Sequence, residues 1–315
     1  MQSQTTVHIL LASYQGARFI LEQLDSFANQ THTKWTLTVS DDGSNDGTQD
    51  IVLNFKKKVT QAVALIKGPR QGSTANFLSL LRNVQDIQPN DLIAFSDQDD
   101  VWMPNKLARA AQYFDDLFQN QGNQQLPHLY CTRTQLVDEN LQVIRLGKHP
   151  RKPLNFCNAL LENVAAGNTI VFTPALQKLL LQINPVDAIW HDWTTYILAT
   201  ACGGTVHFDD KPSLLYRQHG GNVFGSNFGV KASLHRLQEL GSGTYRRWNE
   251  ANIRALNAIK HEMNESSTHV LDMFVQMREH PNPWTRLSKT IKSGISRQQY
   301  SAQAAIMVGV LFKLV

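Results

Sequence analysis

The stretch "DLIAFSDQDDVW", residues 91–102, joins an apolar run to three closely spaced carboxylates. Residues 91–96 have the length and composition of a buried β-strand. Asp97, Asp99 and Asp100 then fall within four positions, where like charges repel and raise one another's pKa. One aspartate would be enough for a turn, so three of them predict a site at which a cation balances their charge.

The residues that precede this stretch predict an α/β fold. Four apolar segments, each followed by a helix-like segment, read as strands at 7–13, 35–40, 62–68 and 91–96. This alternation predicts a mostly parallel central sheet with helices on both faces. We expect Ser73 to be the N-cap of the third helix.

The rhythm changes after residue 117, which predicts three parts with boundaries at 1–117, 118–230 and 231–315. In the second part we expect a hairpin over 128–146 that turns at 138–140. The rest of it predicts helices at 156–167, 175–183 and 191–203 and short strands at 168–173, 205–208 and 213–218. The third part predicts a helical extension.

Composition narrows the functional class. With 42% hydrophobic and 18% charged residues among 315, a sizeable core can form. A net charge of +4 does not indicate a nucleic-acid partner. Three widely spaced cysteines argue against a disulfide framework or a zinc site and fit the reducing cytoplasm. We expect no signal peptide, and no apolar run is long enough to span a membrane.

Polar residues follow the first, second and fourth predicted strands. Parallel strands end at one edge of a sheet, where ligands of open α/β folds bind, so Asp42 and Asp99 should meet there. Mg²⁺ binds through one or two carboxylates together with substrate phosphates. These polar residues at the strand ends therefore predict a metal site that binds a diphosphate. For residues 40–48 a solvated turn explains the same pattern equally well.

Several other site chemistries fail on spacing. Asp42, Ser44, Asp46 and Gly47 match the first positions of an EF-hand loop, but Leu53 stands where a bidentate Glu is required. The chain contains no Walker A motif, no G-x-G-x-x-G after the first strand and no H-E-x-x-H.

Five stretches resemble one enzyme family. In order along the chain they are "LLASYQGARFILEQLDSFANQT", "VSDDGSNDGT", "FSDQDDVWMPNKL", "HDW" and "LYRQHGGN", and they span residues 7 to about 222. Together they resemble the inverting family-2 glycosyltransferases of the GT-A fold, and most of all the bacterial rhamnosyltransferase-like branch. The resemblance implies a nucleotide-sugar-binding half over 1–117, an acceptor-side α+β half over 118–230 and a C-terminal helical extension.

The resemblance also implies roles for single residues. Asp192 corresponds to the catalytic base. Asp99, which belongs to the D-x-D signature, and His219 correspond to the metal-binding residues. The residues implied in nucleotide binding are Ala12, Ser13, Tyr14, Asp41, Asp42, Gly72, Asn76 and Asp97. Those implied at the acceptor are Trp190, His191 and Trp193.

Each of these residues also has an ordinary structural explanation. Asp192 would serve as a helix N-cap, His219 as a loop histidine, and Trp190 and Trp193 as core residues. Many family members carry an acid before the base, where this chain has His191. The resemblance therefore leaves open what orients Asp192.

The implied activity is a Mg²⁺- or Mn²⁺-dependent inverting glycosyl transfer in surface-polysaccharide synthesis. The implied donor is dTDP-rhamnose and the acceptor a glycan or a lipid-linked glycan. The alternatives are a UDP-hexose donor or a non-catalytic binder of carbohydrate or nucleotide. A nucleotidyltransferase would need a Gly- and Arg-rich triphosphate loop after the first strand, and "SYQGARF" has one of each.

Residues 280–315 carry five basic side chains and no acidic one, and they include the apolar run "AAIMVGVLF". Such a basic, amphipathic segment predicts peripheral contact with the inner face of the cell membrane. The alternative is a helix that packs back onto the transferase domain, or onto a second copy of the chain in a homo-oligomer.

Overall fold

The structure is a computed structural model that describes residues 4–121, 124–220 and 242–315. Its strands are β1 (Val7–Ser13), β2 (Trp35–Asp41), β3 (Val63–Lys67), β4 (Leu92–Ser96), β5 (Val101–Trp102), β6 (Leu129–Thr132), β7 (Gln135–Val137), β8 (Val143–Leu146), β9 (Val171–Phe172), β10 (Val206–Asp209) and β11 (Leu214–Arg217). Its helices are α1 (Ile20–Ala28), α2 (Thr48–Lys56), α3 (Ser73–Asn83), α4 (Lys106–Gln121), α5 (Phe156–Ala159), α6 (Pro174–Gln182), α7 (His191–Ala201), α8 (Thr244–Ala258), α9 (Glu265–Glu279), α10 (Pro283–Ser293) and α11 (Tyr300–Leu311).

A seven-stranded sheet with the order β10-β6-β9-β4-β1-β2-β3 forms the centre of the molecule. The strands β4, β1, β2 and β3 are parallel, as predicted, and β9 runs antiparallel to both of its neighbours. Residues along β1 alternate between two hydrophobic clusters, one on each face of the sheet. Ile9 and Leu11 pack with α1, α2 and α4, whereas Leu10 packs with α3, α6 and α7. Helices therefore cover both faces, which confirms the predicted α/β fold.

A smaller sheet, with the order β5-β11-β7-β8, includes the strand β5 that directly follows the loop Asp97–Asp100. The predicted hairpin is present as β7 and β8, and its turn is closed by the Asp138 carboxylate, which accepts from the backbone N–H groups of Asn140 and Gln142. The first strand predicted for that hairpin, β6, belongs to the large sheet instead. Because β11 pairs with β5, it leads directly back to the loop that contains Asp99.

Three local predictions need correction. Gly72, at φ +87°, and not Ser73, is the N-cap of α3. The helix predicted over 156–167 ends at Ala159, and the Asn163 side chain then accepts from the backbone N–H of Ala165 in a local turn that competes with the helix. The strand predicted over 168–173 shrinks to β9, since Gly167–Thr169 form a 3₁₀ turn.

The C-terminal helices pack onto the core beside the central sheet. Ile306, Val310 and Val315 are buried in the same cluster as α6 and α7. The buried Arg286 guanidinium donates to the carbonyl oxygens of Val310 and Leu311, which joins the start of α10 to the end of α11. This favours the packing alternative for the tail. The predicted boundary at 230/231 lies outside the described residues.

Candidate active site

The carboxyl ends of β1, β2 and β4 form one rim. Ser13 and Asp41 are paired in register at the ends of β1 and β2, and Ser96 closes β4 next to Leu11 of β1. The three polar loops that follow these strands therefore lie side by side. The topology thus brings Asp42 and the stretch Asp97–Asp100 to the same edge.

Asp41 is held by its own turn. Its carboxylate accepts from the backbone N–H groups of Gly43 and Ser44 and from the side chains of Ser13, Ser44 and Gln49. Burial acts to raise the pKa of Asp41, but these hydrogen bonds outweigh it and lower that pKa below its usual value. With five donors in place, this carboxylate stabilises the loop.

Asp42 joins the end of β2 to the segment before α3. Its two carboxylate oxygens accept from the backbone N–H groups of Arg70, at 2.5 Å, and Gly72, at 2.9 Å. The buried Asn76 side chain donates to the carbonyl oxygen of Ser40, which ties α3 to the end of β2. Tyr14 is 57% exposed at the end of β1, where its ring is accessible to a planar base. Ala12, two residues before Tyr14, is half-buried.

The loop Asp97–Asp100, named the metal loop here for its predicted role, lies next to His219. His219 Nε2 lies 2.7 Å from Asp99 Oδ2, and both side chains are mostly buried. The pairing of β5 with β11 explains this meeting of residues that are 120 positions apart. Burial, reinforced by the charges of Asp99 and Asp192, raises the pKa of Asp97 to about 7. A cation here would relieve that repulsion.

The residues at this site fit a divalent ion that is shared with a substrate. Within residues 4–121, 124–220 and 242–315, no group of three or more His, Cys, Asp or Glu side chains forms a metal cluster. Asp99 and His219 supply one oxygen and one nitrogen, and their separation needs little change for both to bind one ion. Mg²⁺ typically completes its shell with phosphate oxygens and water, so two protein ligands suffice.

Asp192 lies in the first turn of α7. Its Oδ2 accepts from the backbone N–H of Gly167, at 3.2 Å. The N-cap of α7 is Trp190 and not Asp192. Burial raises the pKa of Asp192 to about 6, although its hydrogen bonds act in the opposite direction. The charge of Asp192 also contributes to the raised pKa of Asp97.

Comparison with known proteins identifies the family of the first part of the chain. Residues 8–124 match the family model "Glycosyl transferase family 2". This region is a glycosyl transferase family 2 domain. The dTDP-rhamnosyl transferase RfbG of Shigella flexneri is 28% identical over 249 residues, which cover 75% of this chain and 81% of that protein. The predicted family and the predicted class of enzyme, a glycosyltransferase, are confirmed.

Two further comparisons bear on the sugar and on the fold. The UDP-Glc:alpha-D-GlcNAc-diphosphoundecaprenol beta-1,3-glucosyltransferase WfgD of Escherichia coli is 31% identical over 105 residues, 32% of this chain and 38% of that protein. The structure of S. aureus TarS in complex with UDP-GlcNAc superposes with a TM-score of 0.57 at 15% identity, covering 98% of this chain and 90% of that one. The second match supports the GT-A fold alone.

The three residues implied at the acceptor have different surroundings in this glycosyltransferase. Trp193 is buried and donates from its indole nitrogen to the carbonyl oxygen of Ala159. The His191 ring stacks on Phe77 at 3.8 Å, and burial lowers its pKa to about 3, so it is neutral at physiological pH. Trp190 is half-buried and makes an edge-to-face contact with Trp248. Of these three residues, only Trp190 and His191 are exposed enough to contact an acceptor.

Two residues that support the glycosyltransferase site had no role in the sequence-based prediction. Gln98 bridges the first and fourth strand ends, since its side chain both accepts from the Tyr14 N–H and donates to the Tyr14 carbonyl, each at 2.9 Å. Arg217 is fully buried, with its Nε donating to the Asp99 carbonyl at 2.9 Å and Nη2 to Glu22 Oε2 at 2.6 Å. Gln98 and Arg217 both lie inside the motifs quoted above, but nothing in the spacing of those motifs indicates that either residue supports the site.

Proposed function

We propose that this chain transfers a sugar from a nucleoside-diphosphate donor to a hydroxyl of a glycan or lipid-linked glycan, with inversion at the anomeric carbon. The observation that carries the proposal is the position of Asp192. Its carboxyl has a pKa of about 6, and its charge helps to raise the pKa of Asp97, which lies two residues before Asp99 of the Asp99–His219 pair. A base beside a metal–diphosphate site is what a single displacement requires.

The proposed roles follow from this geometry. Asp99 and His219 would hold Mg²⁺ or Mn²⁺, which when bound stabilises the negative charge that develops on the leaving diphosphate. Asp192 accepts the proton of the acceptor hydroxyl while that oxygen bonds to C1 and the bond from C1 to the phosphate oxygen breaks. The nucleoside diphosphate departs on the opposite face. A pKa near 6 leaves Asp192 largely ionised at neutral pH and still basic enough to assist.

For the donor we propose dTDP-rhamnose, supported by the likeness to the dTDP-rhamnosyl transferase RfbG over three quarters of this chain. A UDP-hexose is the second candidate, because the glucosyltransferase WfgD, which is named for a UDP-Glc donor, matches a third of it. The two nucleotides differ in the 5-methyl group of the base and in the 2′-hydroxyl of the ribose, so Tyr14 and the loop before Gly72 are where selection would act.

A donor-hydrolysis screen tests this proposal. The full chain is incubated with dTDP-rhamnose, UDP-glucose and UDP-GlcNAc in Mn²⁺, and the release of nucleoside diphosphate is measured. We expect dTDP release, abolished by EDTA and restored by added Mn²⁺. Nucleotide binding without turnover of any donor, even in the presence of an extract of lipid-linked acceptors, would favour the non-catalytic alternative.

We infer further that the enzyme works at the inner face of the membrane. No helix within the described ranges is long and apolar enough to cross a bilayer. The outward sides of α10 and α11 nevertheless expose Trp284, Ile291, Tyr300 and Phe312 by 64–77%. No acidic residue follows Glu279. The exposed aromatic side chains, together with the exposed Lys292 and Lys313, fit an anionic lipid interface.

The membrane proposal is tested by vesicle co-sedimentation of the full chain, because truncation would expose the core that α11 covers. The double variant Trp284→Ser/Phe312→Ser should weaken binding to anionic vesicles by about 10-fold or more. The matched control is Leu181→Ser/Val186→Ser, which removes exposed apolar side chains on α6 and the turn after it. Equal binding by both double variants, or none by the wild type, would contradict the proposal.

A further inference from the structure

The base and the metal loop are attached to the same short turn. In the 3₁₀ turn Gly167–Thr169, the backbone N–H of Gly167 donates to Asp192 Oδ2. The next residue, Asn168, donates from its side-chain amide to Asp100 Oδ2 at 2.6 Å. Asp100 follows Asp99 directly. Two adjacent residues of one turn thus hold the carboxylate that accepts the proton and the loop that holds the ion.

The turn is itself fixed from behind. The ammonium group of Lys106, a residue that is 1% exposed, donates to the Asn168 carbonyl oxygen at 2.8 Å and lies 4.4 Å from the centre of the Trp102 ring. Asn168 is 4% exposed and Asp100 is fully buried. Hydrogen bonds between buried polar groups are costly to break, because the freed partner has no water to turn to. The hydrogen-bonded link from Lys106 through Asn168 to Asp100 therefore has few alternative arrangements.

The other oxygen of Asp100 is bound as well. Oδ1 accepts from the backbone N–H of Arg217, at 3.3 Å, while the Arg217 guanidinium donates to the Asp99 carbonyl. Asp100 therefore joins the turn on one side to the strand that carries His219 on the other. Partners that orient a metal ligand typically change metal affinity or activity by about 10–100-fold when they are removed.

We propose that Asn168 is a positioning residue, which sets the distance between the base and the metal loop through its bond to Asp100, with Lys106 holding the Asn168 backbone in place. The inference rests on the proposed function, because it takes Asp99 as a metal ligand and Asp192 as the base. It assigns a function to a residue that touches neither the sugar nor the ion.

A matched pair of isosteric variants tests the proposal. Asn168→Asp replaces the amide that faces Asp100 with a carboxylate. The control Asn158→Asp makes the same change at a second buried amide, which donates to Glu162 Oε1 at 3.0 Å away from the metal loop. Melting temperature reports the structural cost of each change. Calorimetric titration of dTDP and UDP, with and without Mn²⁺, reports the site.

We expect both variants to melt at a lower temperature. Only Asn168→Asp should raise the Mn²⁺ concentration for half-maximal nucleotide binding, by about 10-fold or more, and leave metal-free binding unchanged. A wild-type Mn²⁺ curve for Asn168→Asp, or an equal shift for Asn158→Asp, overturns the inference alone. A wild-type chain with no Mn²⁺-dependent binding of dTDP or UDP would overturn the proposed function as well.

A second variant covers the case in which Asn168→Asp does not fold. Lys106→Met removes the hydrogen bond to the Asn168 carbonyl and keeps a long side chain in the same space. Its Mn²⁺ curve should shift in the same direction, with kcat reduced and the KM for the donor at saturating metal little changed. A folded Lys106→Met protein with the wild-type curve and kcat contradicts the proposal.

Discussion

Two clusters of aspartates lie on the same rim, and their surroundings differ. After β2, Asp41 accepts five hydrogen bonds and Asp42 two, all from neutral N–H and O–H groups. After β4, the pKa of Asp97 rises to about 7 and that of Asp100 rises well above its usual value, because burial and the neighbouring carboxylates disfavour ionisation. The first cluster is satisfied by the fold, whereas we propose that a cation balances the charge of the second.

The difference shows how to separate a structural aspartate from a ligand on the same sheet edge. A carboxylate whose lone pairs are filled by its own turn stabilises the ionised form and lowers the pKa. One that is buried among like charges is destabilised until a counter-ion binds. We therefore expect substitutions in the first cluster to act mainly on stability and those in the second mainly on metal-dependent chemistry.

The largest effect should come from Asp99→Ala. The substitution removes a proposed metal ligand, and with it several kcal/mol of charge stabilisation, so transfer should fall by about 10³-fold or more. Mn²⁺-enhanced nucleotide binding should be lost while the melting temperature changes little. Near wild-type turnover in Mn²⁺ would show that the second cluster does not bind the ion through Asp99.

Asp192→Asn should have the next largest effect. The amide retains the size of the carboxyl and still accepts from Gly167, but it no longer accepts a proton. Turnover should fall by about 10²–10⁴-fold, and Mn²⁺-dependent nucleotide binding should remain. If turnover and melting temperature both fall only slightly, Asp192 serves the helix and not the chemistry.

The pH dependence of kcat/KM should show the base directly. Burial raises the pKa of Asp192 to about 6, so the ionised fraction falls as pH decreases through 6. We expect kcat/KM to be level above about pH 7 and to decrease about 10-fold per unit below pH 5. The residual activity of Asp192→Asn should lack this limb. A limb that persists in that variant belongs to another group.

The sequence predicted the first half of the chain well because its signals are local. Each parallel strand is a short apolar run, and each strand end carries a polar loop, so the order of elements determines which loops meet. Asp42 and Asp99 lie in such loops, and their convergence could be predicted without knowledge of any side-chain contact. The role expected of Asp192 rested on the family resemblance alone.

The remaining features depend on packing between distant segments. The turn that holds both Asp192 and Asp100 takes the place of the first residues of the strand predicted over 168–173, and no periodicity marks Asn168 as part of a turn. Arg217 and Lys106 are charged residues in the core, where a sequence pattern predicts apolar ones. Trp193 was predicted at the acceptor, but its indole nitrogen bonds to Ala159 in the interior.

Asp41→Asn tests the first cluster. One carboxylate oxygen, which accepts from the hydroxyls of Ser13 and Ser44, becomes an amide donor or leaves those groups unpaired. We expect a loss of about 1–3 kcal/mol in the free energy of unfolding, measured by urea denaturation. Turnover of the folded protein should stay within a few-fold of wild type. A large loss of turnover with unchanged stability would place Asp41 in direct contact with the nucleotide.

The same substitution at Asp97 should change stability in the opposite direction. The folded pKa of Asp97, about 7, is higher than the 3.8 of an ordinary Asp, so the native state loses stability as pH rises from about 4 to about 7, where the unfolded chain ionises this carboxyl more readily than the folded chain does. Asn cannot ionise and avoids that loss. In the absence of metal, Asp97→Asn should therefore melt higher than wild type at pH 8, with the difference shrinking toward pH 4. Saturating Mn²⁺ and nucleotide should abolish the advantage, because the cation then balances the wild-type carboxylate. A lower melting temperature for Asp97→Asn at pH 8 would mean that Asp97 is satisfied by the fold, as Asp41 is, and the contrast between the two clusters would be wrong.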